Sequence, residues 1–377
     1  MKLLGYDPAR IPTFIPRYAI EHSEDRRRTL STHNQALLIA NSNYHVGQQI
    51  AVRVAEEQGY FREEGFVNYE YESRGLVPGP LEAATLALAV KEHGLDIITA
   101  VNLDSIVYQR AKGAPVYLVG GWRWESNPDV KWFATKNIRE LKDLRGHKIG
   151  VREPGDLMQY AISKALRAVG LNAETDVQWV YDPIFAYRTN PAHIEMLKAG
   201  KVNAVCSGLP FSDELEREGY PMILDPKKNQ SRGRLGKVIV ATERTLTERE
   251  TELTAFLRAI IRSFLFMRDP DHFEYLRDLE LKWRKASHND EERVVQLLNN
   301  PDKVEGWTLP IDLAVPKEDV EETIREMIHL KQLDRAIDPG EVVRNGSAIA
   351  AYKEVSGRED LQPALRKAEA AVRKWGF

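Results

Sequence analysis

The side chains able to do chemistry gather in short polar clusters behind apolar runs. They do not form a nucleophile–base pair, a metal triad or a glycine run that could cradle phosphate. The first cluster is Asn41, Ser42, Asn43, Tyr44 and His45. His45 can donate to an anion or serve as a general base near neutral pH; it can equally cap the helix that follows. Arg74 can grip a carboxylate, sulfonate or phosphate in a bidentate fork, or sit in a surface salt bridge. Asn102, Asp104 and Ser105 come next, with Asp104 also placed to be an N-cap. Trp122, Arg123 and Trp124 combine aromatic walls with a cation, which suits an aromatic or heteroaromatic acid; packing between lobes is the other reading. Further on stand Arg152, Glu153, Gly155, Asp156 and Met158, then Tyr181 and Asp182, then Ser207, Gly208, Pro210 and Phe211. Stacking aromatics with a few convergent polar groups are the usual furniture of a small-molecule cleft.

These clusters share one position relative to the elements around them. In Arg139–Leu166, RELKDLRGHKIGVREPGDLMQYAISKAL, a short strand His147–Val151 runs through a Pro-Gly loop into a helix over Met158–Val169. Unpaired backbone N–H groups at such a helix start attract anions. The same alternation begins at Ala36–Ala40 and continues through a helix Val46–Gly59, a strand Val67–Glu72 and a helix Leu81–His93. Strand Asp96–Ala100, helix Ile106–Lys112 and strand Val116–Val119 follow. Short strands separated by helices predict right-handed βαβ units and parallel sheets, whose ligands bind outside the carboxyl ends of the strands.

Gly120–Asp129 (GGWRWESNPD) interrupts the series. A second series follows: strands Trp132–Thr135, Val177–Tyr181, Val202–Cys206 and Met222–Leu224, with a helix His193–Ala199. Asp225–Gly236 is a second polar break, after which Lys237–Ala241 rejoins the first sheet. Thr247 and Glu250 have capping-box spacing ahead of an amphipathic helix through Leu253, Phe256, Leu257, Ile260, Ile261, Phe264 and Leu265. Pro316 opens another helix through Val320, Ile324, Met327 and Ile328. The expectation is a two-lobed α/β protein. An N-terminal arm covers 1–34, lobe 1 covers 35–120 with 237–377, and lobe 2 covers 130–225. The crossings fall at 121–129 and 226–236, and the C-terminal portion is helical and packs mainly on lobe 1. Two crossings suit hinge closure around a small ligand.

Composition sets the outer limits. At 377 residues the chain exceeds what one compact core normally holds. With 43% hydrophobic and 29% charged residues it reads as an ordinary globular protein. A net charge of −3 argues against nucleic acid as a partner, and no segment approaches the roughly 18–20 apolar residues of a membrane span. The single cysteine, Cys206, rules out an internal disulfide, and the nine histidines show no zinc-ligand spacing. No cofactor and no metal are expected, and oligomeric state is not legible. Residues 1–34 carry Pro8, Pro12 and Pro16 but no apolar core of the kind a secretory signal needs. As it stands the chain reads as cytoplasmic, or as periplasmic or extracellular if a signal has been removed.

Several of these segments resemble one family. LKDLRGHKIGV, NSNYHVGQQIAVRVAEEQGYFREEGF (Asn41–Phe66), GLDIITAVNLDSIVYQRAKGAPV (Gly94–Val116) and AGKVNAVCSGLPFSDEL (Ala199–Leu215, with Asn203 in place of the usual Asp) appear in family order over about residues 36–270. They resemble the nitrate/sulfonate/taurine and thiamine-pyrimidine-precursor (NMT1/THI5-like) solute-binding proteins of ABC importers. The resemblance implies a periplasmic-binding-protein type II fold, capture of a small anionic or heteroaromatic ligand, and an ABC permease as partner. Enzymes share the scaffold. In the resemblance to the thiamine-pyrimidine synthase, Ser105 stands at the consumed histidine and the cysteine run is missing. The loop Asn41–Gly47 lacks the cysteine of the aromatic sulfinate desulfinases. HKIGVRE (His147–Glu153) is close to a strand-loop of the dihydroxyphthalate decarboxylases, with Arg152 where proline is common. The rival reading is therefore a cytoplasmic decarboxylase or other lyase on an aromatic acid. In it His45, Glu153 and Asp156 carry protons and Arg74 or Arg152 anchors the carboxylate.

Overall fold

Apolar runs too short and too β-branched for helices become strands, and they sort into two separate sheets. The computed structural model of the protein describes residues 36–41, 50–72, 94–125, 131–152, 154, 157–186, 191–208, 211–225, 234–285 and 311–374. In chain order the elements begin β1 (Leu37–Asn41), α1 (Ile50–Glu57), α2 (Tyr60–Glu63), β2 (Tyr69–Glu72), β3 (Ile97–Asn102), α3 (Leu103–Ala111) and β4 (Val116–Glu125). Then come β5 (Lys131–Ala134), β6 (Lys148–Val151), α4 (Leu157–Ala168), β7 (Gln178–Tyr181), α5 (Ala192–Lys198), β8 (Ala204–Ser207), α6 (Phe211–Arg217) and β9 (Met222–Leu224). The chain returns through β10 (Arg234–Thr242) and continues as α7 (Glu243–Glu248), α8 (Glu250–Met267), α9 (Phe273–Lys285), α10 (Lys317–His329), α11 (Gly346–Ser356) and α12 (Gln362–Lys374). The helix expected at Leu81–His93 lies outside the described residues, as does the arm 1–34.

The first sheet has the order β2-β1-β3-β10-β4. β1, β2 and β3 run parallel, and β10 is antiparallel to both β3 and β4. Its strands are apolar on both sides because helices cover both sides. One face, through Leu37, Ile39, Val119 and Ile239, packs on α1, α8, α11 and α12. The other, through Ala40, Ile98, Val101, Leu118 and Val240, packs on α3 and α10. The second sheet, β7-β6-β8-β5-β9, is built the same way. Ile149, Val151, Ala204 and Trp132 meet α4 on one side, while Phe133 and Val205 meet α5 and α6 on the other.

Three expectations are corrected. β4 does not stop at Val119. It continues to Glu125 and pairs with β10, so the start of the expected crossing 121–129 is sheet. Gly120 lies within that strand, where a side chain would come 3.2 Å from Ile239 Cδ1 and into ordinary contact with Leu313. β10 likewise begins at Arg234, inside the expected crossing 226–236. Thr247 and Glu250 make no capping box: a separate short helix, α7, precedes α8 and is capped by Thr242, whose side chain accepts from Thr245 N. Thr247 Oγ1 donates back to Glu243 O, and the N-cap of α8 is Arg249. The helix opened by Pro316 is present as α10.

A buried charge cluster ties the helical layer to the first sheet. The Glu64 carboxylate, 6% exposed, receives Arg258 Nε at 3.0 Å, Arg262 Nη1 at 2.7 Å and Arg358 Nη1 at 2.7 Å. Arg262 also lies over the Tyr60 ring, 4.1 Å from its centroid. Each arginine keeps a second carboxylate, Glu354 for Arg258, Glu63 for Arg262 and Asp360 for Arg358, so removing Glu64 loses the shared centre of the cluster and leaves no cation unpaired. Glu64→Ala should cost about 1–3 kcal/mol, read as a lowered urea midpoint with an unchanged slope.

Candidate functional site

The carboxyl edges of the two sheets collect the polar groups that the sheet interiors exclude. In the first sheet β1 ends at Asn41, fully buried, and β3 ends at Asn102, 6% exposed. Asn102 is the N-cap of α3 but makes no side-chain cap bond. Its Oδ1 instead accepts from the ammonium of Lys237, which lies opposite it in the register of β10 and β3 and is 4% exposed. An antiparallel strand entering among parallel neighbours brings its first residues to their carboxyl edge. That is how a lysine at the start of KVIVA arrives at a ligand-side position. Asp104 and Ser105, in the first turn of α3, are buried beside it.

The backbone is strained at this edge. Ala100, within β3, has φ 58°, and the register with β10 slips between Val238 and Val240. A left-handed alanine costs about 1–2 kcal/mol, and bulges of this kind re-aim side chains next to functional sites. Val101 and Asn102 follow directly in the same strand.

In the second sheet β6 delivers Arg152, half-buried, immediately after Val151. β7 ends at Tyr181, whose hydroxyl accepts from Gln159 Nε2 at 3.0 Å; burial raises the phenol above its ordinary pKa. Asp182 turns its carboxylate back on its own loop, accepting from Ile184 N at 2.9 Å, so it shapes the turn. Met158 accepts from the Cys206 thiol at 3.3 Å. β8 ends at Ser207, fully buried and 3.0 Å from His193 Nε2, with the edge of the Phe211 ring set against that imidazole. Gly208 follows, also buried.

Several expected site residues therefore stand at the two carboxyl edges: Asn41, Asn102, Asp104, Ser105, Arg152, Met158, Tyr181, Asp182, Ser207, Gly208 and Phe211. Trp122 does not. It is 1% exposed, edge-on to Phe264 in the core between the first sheet and α8, because β4 continues through it as strand. Arg123 and Trp124 lie in the same strand. Ser42, Asn43, Tyr44, His45, Arg74, Glu153, Gly155, Asp156 and Pro210 lie outside the described residues. Sequence reasoning passed over Lys237 and His193. Both carry a signal: a lysine opening an apolar strand, and a histidine on the buried face of α5 with Ile194 and Leu197. Among the described residues, no group of three or more His, Cys, Asp or Glu could hold a metal, and no helix is long and apolar enough to cross a membrane.

The two-sheet architecture with carboxyl-edge polar groups is the fold of periplasmic binding proteins of type II. The chain belongs to the family described as NMT1/THI5 like, which matches residues 47–272. No curated protein matches it significantly. Among solved structures it is similar to the periplasmic aliphatic sulphonate binding protein SsuA from Escherichia coli, with TM-score 0.61 and 18% identity over 82% of this chain and 97% of that one. A putative periplasmic sulfonate-binding SsuA from Methylobacillus flagellatus KT gives 0.63 at 16% identity over 86% and 96%. The periplasmic nitrate-binding protein NrtA from Synechocystis PCC 6803 gives 0.59 at 14% over 87% and 90%.

The glycine of KIGV is a close-approach residue. A Cβ on Gly150 would stand 2.5 Å from Cζ of the Phe185 ring, whose far end meets the strand there. Gly150→Ala should cost about 1–3 kcal/mol by overpacking and displace the Tyr181–Asp182 edge. Pairing it with Phe185→Leu should recover most of the melting temperature.

Proposed function

We propose that this protein captures a small organic anion, aromatic or heteroaromatic in its body, between the carboxyl edges of its two sheets. The observation that carries this reading is the buried Lys237 ammonium held by Asn102 at the first sheet's ligand-side edge. Burying a lysine among apolar strands is costly, and such a cation supplies charge where an acid group would arrive. Arg152 offers a second cation from the opposite edge, and Tyr181 and Phe211 offer aromatic surface. The carboxyl-edge residues named above, together with Ser42, Asn43, Tyr44, His45, Arg74, Glu153, Gly155 and Asp156, are the proposed contacts.

Support also comes from what the similar structures are described as binding, sulfonates and nitrate, and from their description as periplasmic. An ABC permease is the proposed partner, and the periplasmic side of the membrane the proposed place of capture. Fractionation of cells expressing the native gene tests the compartment. The lyase reading gains nothing from the described residues. Its proton carriers His45, Glu153 and Asp156 lie outside the described residues, and Ser207 and His193, 3.0 Å apart, are both buried.

A ligand that binds only the folded state raises stability by about 2.7 kcal/mol at 100 times its dissociation constant. Thermal-shift screening with alkanesulfonates, taurine, nitrate, benzoates, pyrimidine carboxylates and purines should raise the melting temperature for at least one acid class. Lys237→Met should weaken that ligand at least tenfold, about 1.4 kcal/mol, while the unliganded protein still folds. No shift from any of these compounds at millimolar levels would remove the proposal's support.

A further inference from the structure

Helix α4 is shared between the two sheets. Ile162 and Leu166 seat it on the second sheet, but Tyr160, 1% exposed, is buried in the cluster on the far side of the first, among Val101, Val315, Val320 and Met327. Its hydroxyl donates to Gln332 Oε1. Lys164 and Arg167 continue the same helical face at i+4 and i+7, pairing with Glu322 and Glu326 of α10. Lys331 Nζ reaches Glu174, next to the second sheet, at 2.7 Å. α10 itself is anchored to the first sheet: Asp319 Oδ2 accepts from Leu235 N of β10 at 2.9 Å. The seam between α4 and α10 is thus a third connection between the sheets, beside the two chain crossings.

That seam is incompletely bonded. Arg167 Nη2 donates to Glu326 Oε1, yet Arg167 Nη1 and Glu326 Oε2 are buried without a hydrogen-bond partner, as is Ser163 Oγ one turn back on α4. An arginine–carboxylate pair of this burial normally closes as a two-bond fork, and orphaned buried polar atoms are costly. One bond of the fork is thus left unmade across the seam. We propose that Arg167 and Glu326 are positioning residues that set the angle between the two sheets. Their pair has a one-bond and a two-bond arrangement, and Tyr160 is the pivot between them. Such a two-state contact biases the opening of a cleft that it does not line.

The test is made without added ligand, so its failure leaves anion capture standing, and failure of anion capture leaves it untouched. Nitroxide labels on Asn137→Cys, by the second sheet, and Lys353→Cys, on α11, report the inter-sheet distance by electron–electron resonance. Both sites are exposed, whereas native Cys206 is buried. Arg167→Glu and Glu326→Arg should each shift the distance distribution, and the double swap should bring it back. Arg167→Lys keeps the charge but cannot fork, so it should keep the one-bond distance and lose the other population. If the reversals do not fold, Arg167→Lys alone decides. A distribution identical to the wild type's in Arg167→Lys, or in both folded single reversals, overturns the proposal.

Discussion

Covering a sheet on both faces leaves it one place to meet a ligand. The first sheet is sealed by α1, α8, α11 and α12 on one side and by α3 and α10 on the other, so most of its polar side chains lie towards the ends of the strands. At that edge the backbone groups of a parallel strand and of the helix after it are still in want of partners. The proposed ligand contacts among the described residues of this sheet follow from this constraint. Asn41, Asn102, Asp104 and Ser105 are buried there. The strand β10 returns antiparallel, which adds a lysine to an edge where the parallel strands bring Asn41, Asn102 and the Asp104 carboxylate. The strain at Ala100 sits in the strand that carries Asn102, consistent with a backbone held out of its preferred conformation to aim that edge.

The second sheet repeats the plan with different chemistry. Its edge offers Arg152, an aromatic Tyr181 oriented by Gln159, and a buried His193–Ser207 contact. The first edge thus holds an ammonium beside the Asp104 carboxylate, and the second a guanidinium with aromatic neighbours, which are the groups the proposed capture of an acid draws on. The C-terminal helices are part of this arrangement and not an appendage to lobe 1. α10 bonds β10 through Asp319 and meets α4 through Glu322 and Glu326, so the relative position of the two edges is set partly by residues far along the chain from either.

Much of the fold was legible because two-sided burial writes itself as short apolar runs such as ALLIA, DIITA and KVIVA, whose length and β-branched content mark them as strands. The misreadings have physical causes. GGWRWE looks like a loop by composition, yet Gly120 is a packing glycine under Leu313 and Trp122 a core residue against Phe264; tertiary packing overrode local turn signals. The Thr247–Glu250 spacing fits a capping box, but a register set by Thr242 placed another helix in front. Lys237 and His193 went unread because their meaning depends on which strand lies beside them, and strand order is not a local property of the sequence. The clusters behind the strands were readable as a set, since every parallel strand must end in a loop on the same side.

The most direct test of the account is the identity of what the protein carries. Protein purified under native conditions, denatured, and its released small molecules analysed by mass spectrometry should yield an organic acid bound in stoichiometric amount, and the same preparation of Lys237→Met should lack it. Recovery of that acid in equal amount from the variant, or of a neutral or cationic compound from the wild type, would contradict the claim that the carboxyl-edge cation of the first sheet is what holds the ligand.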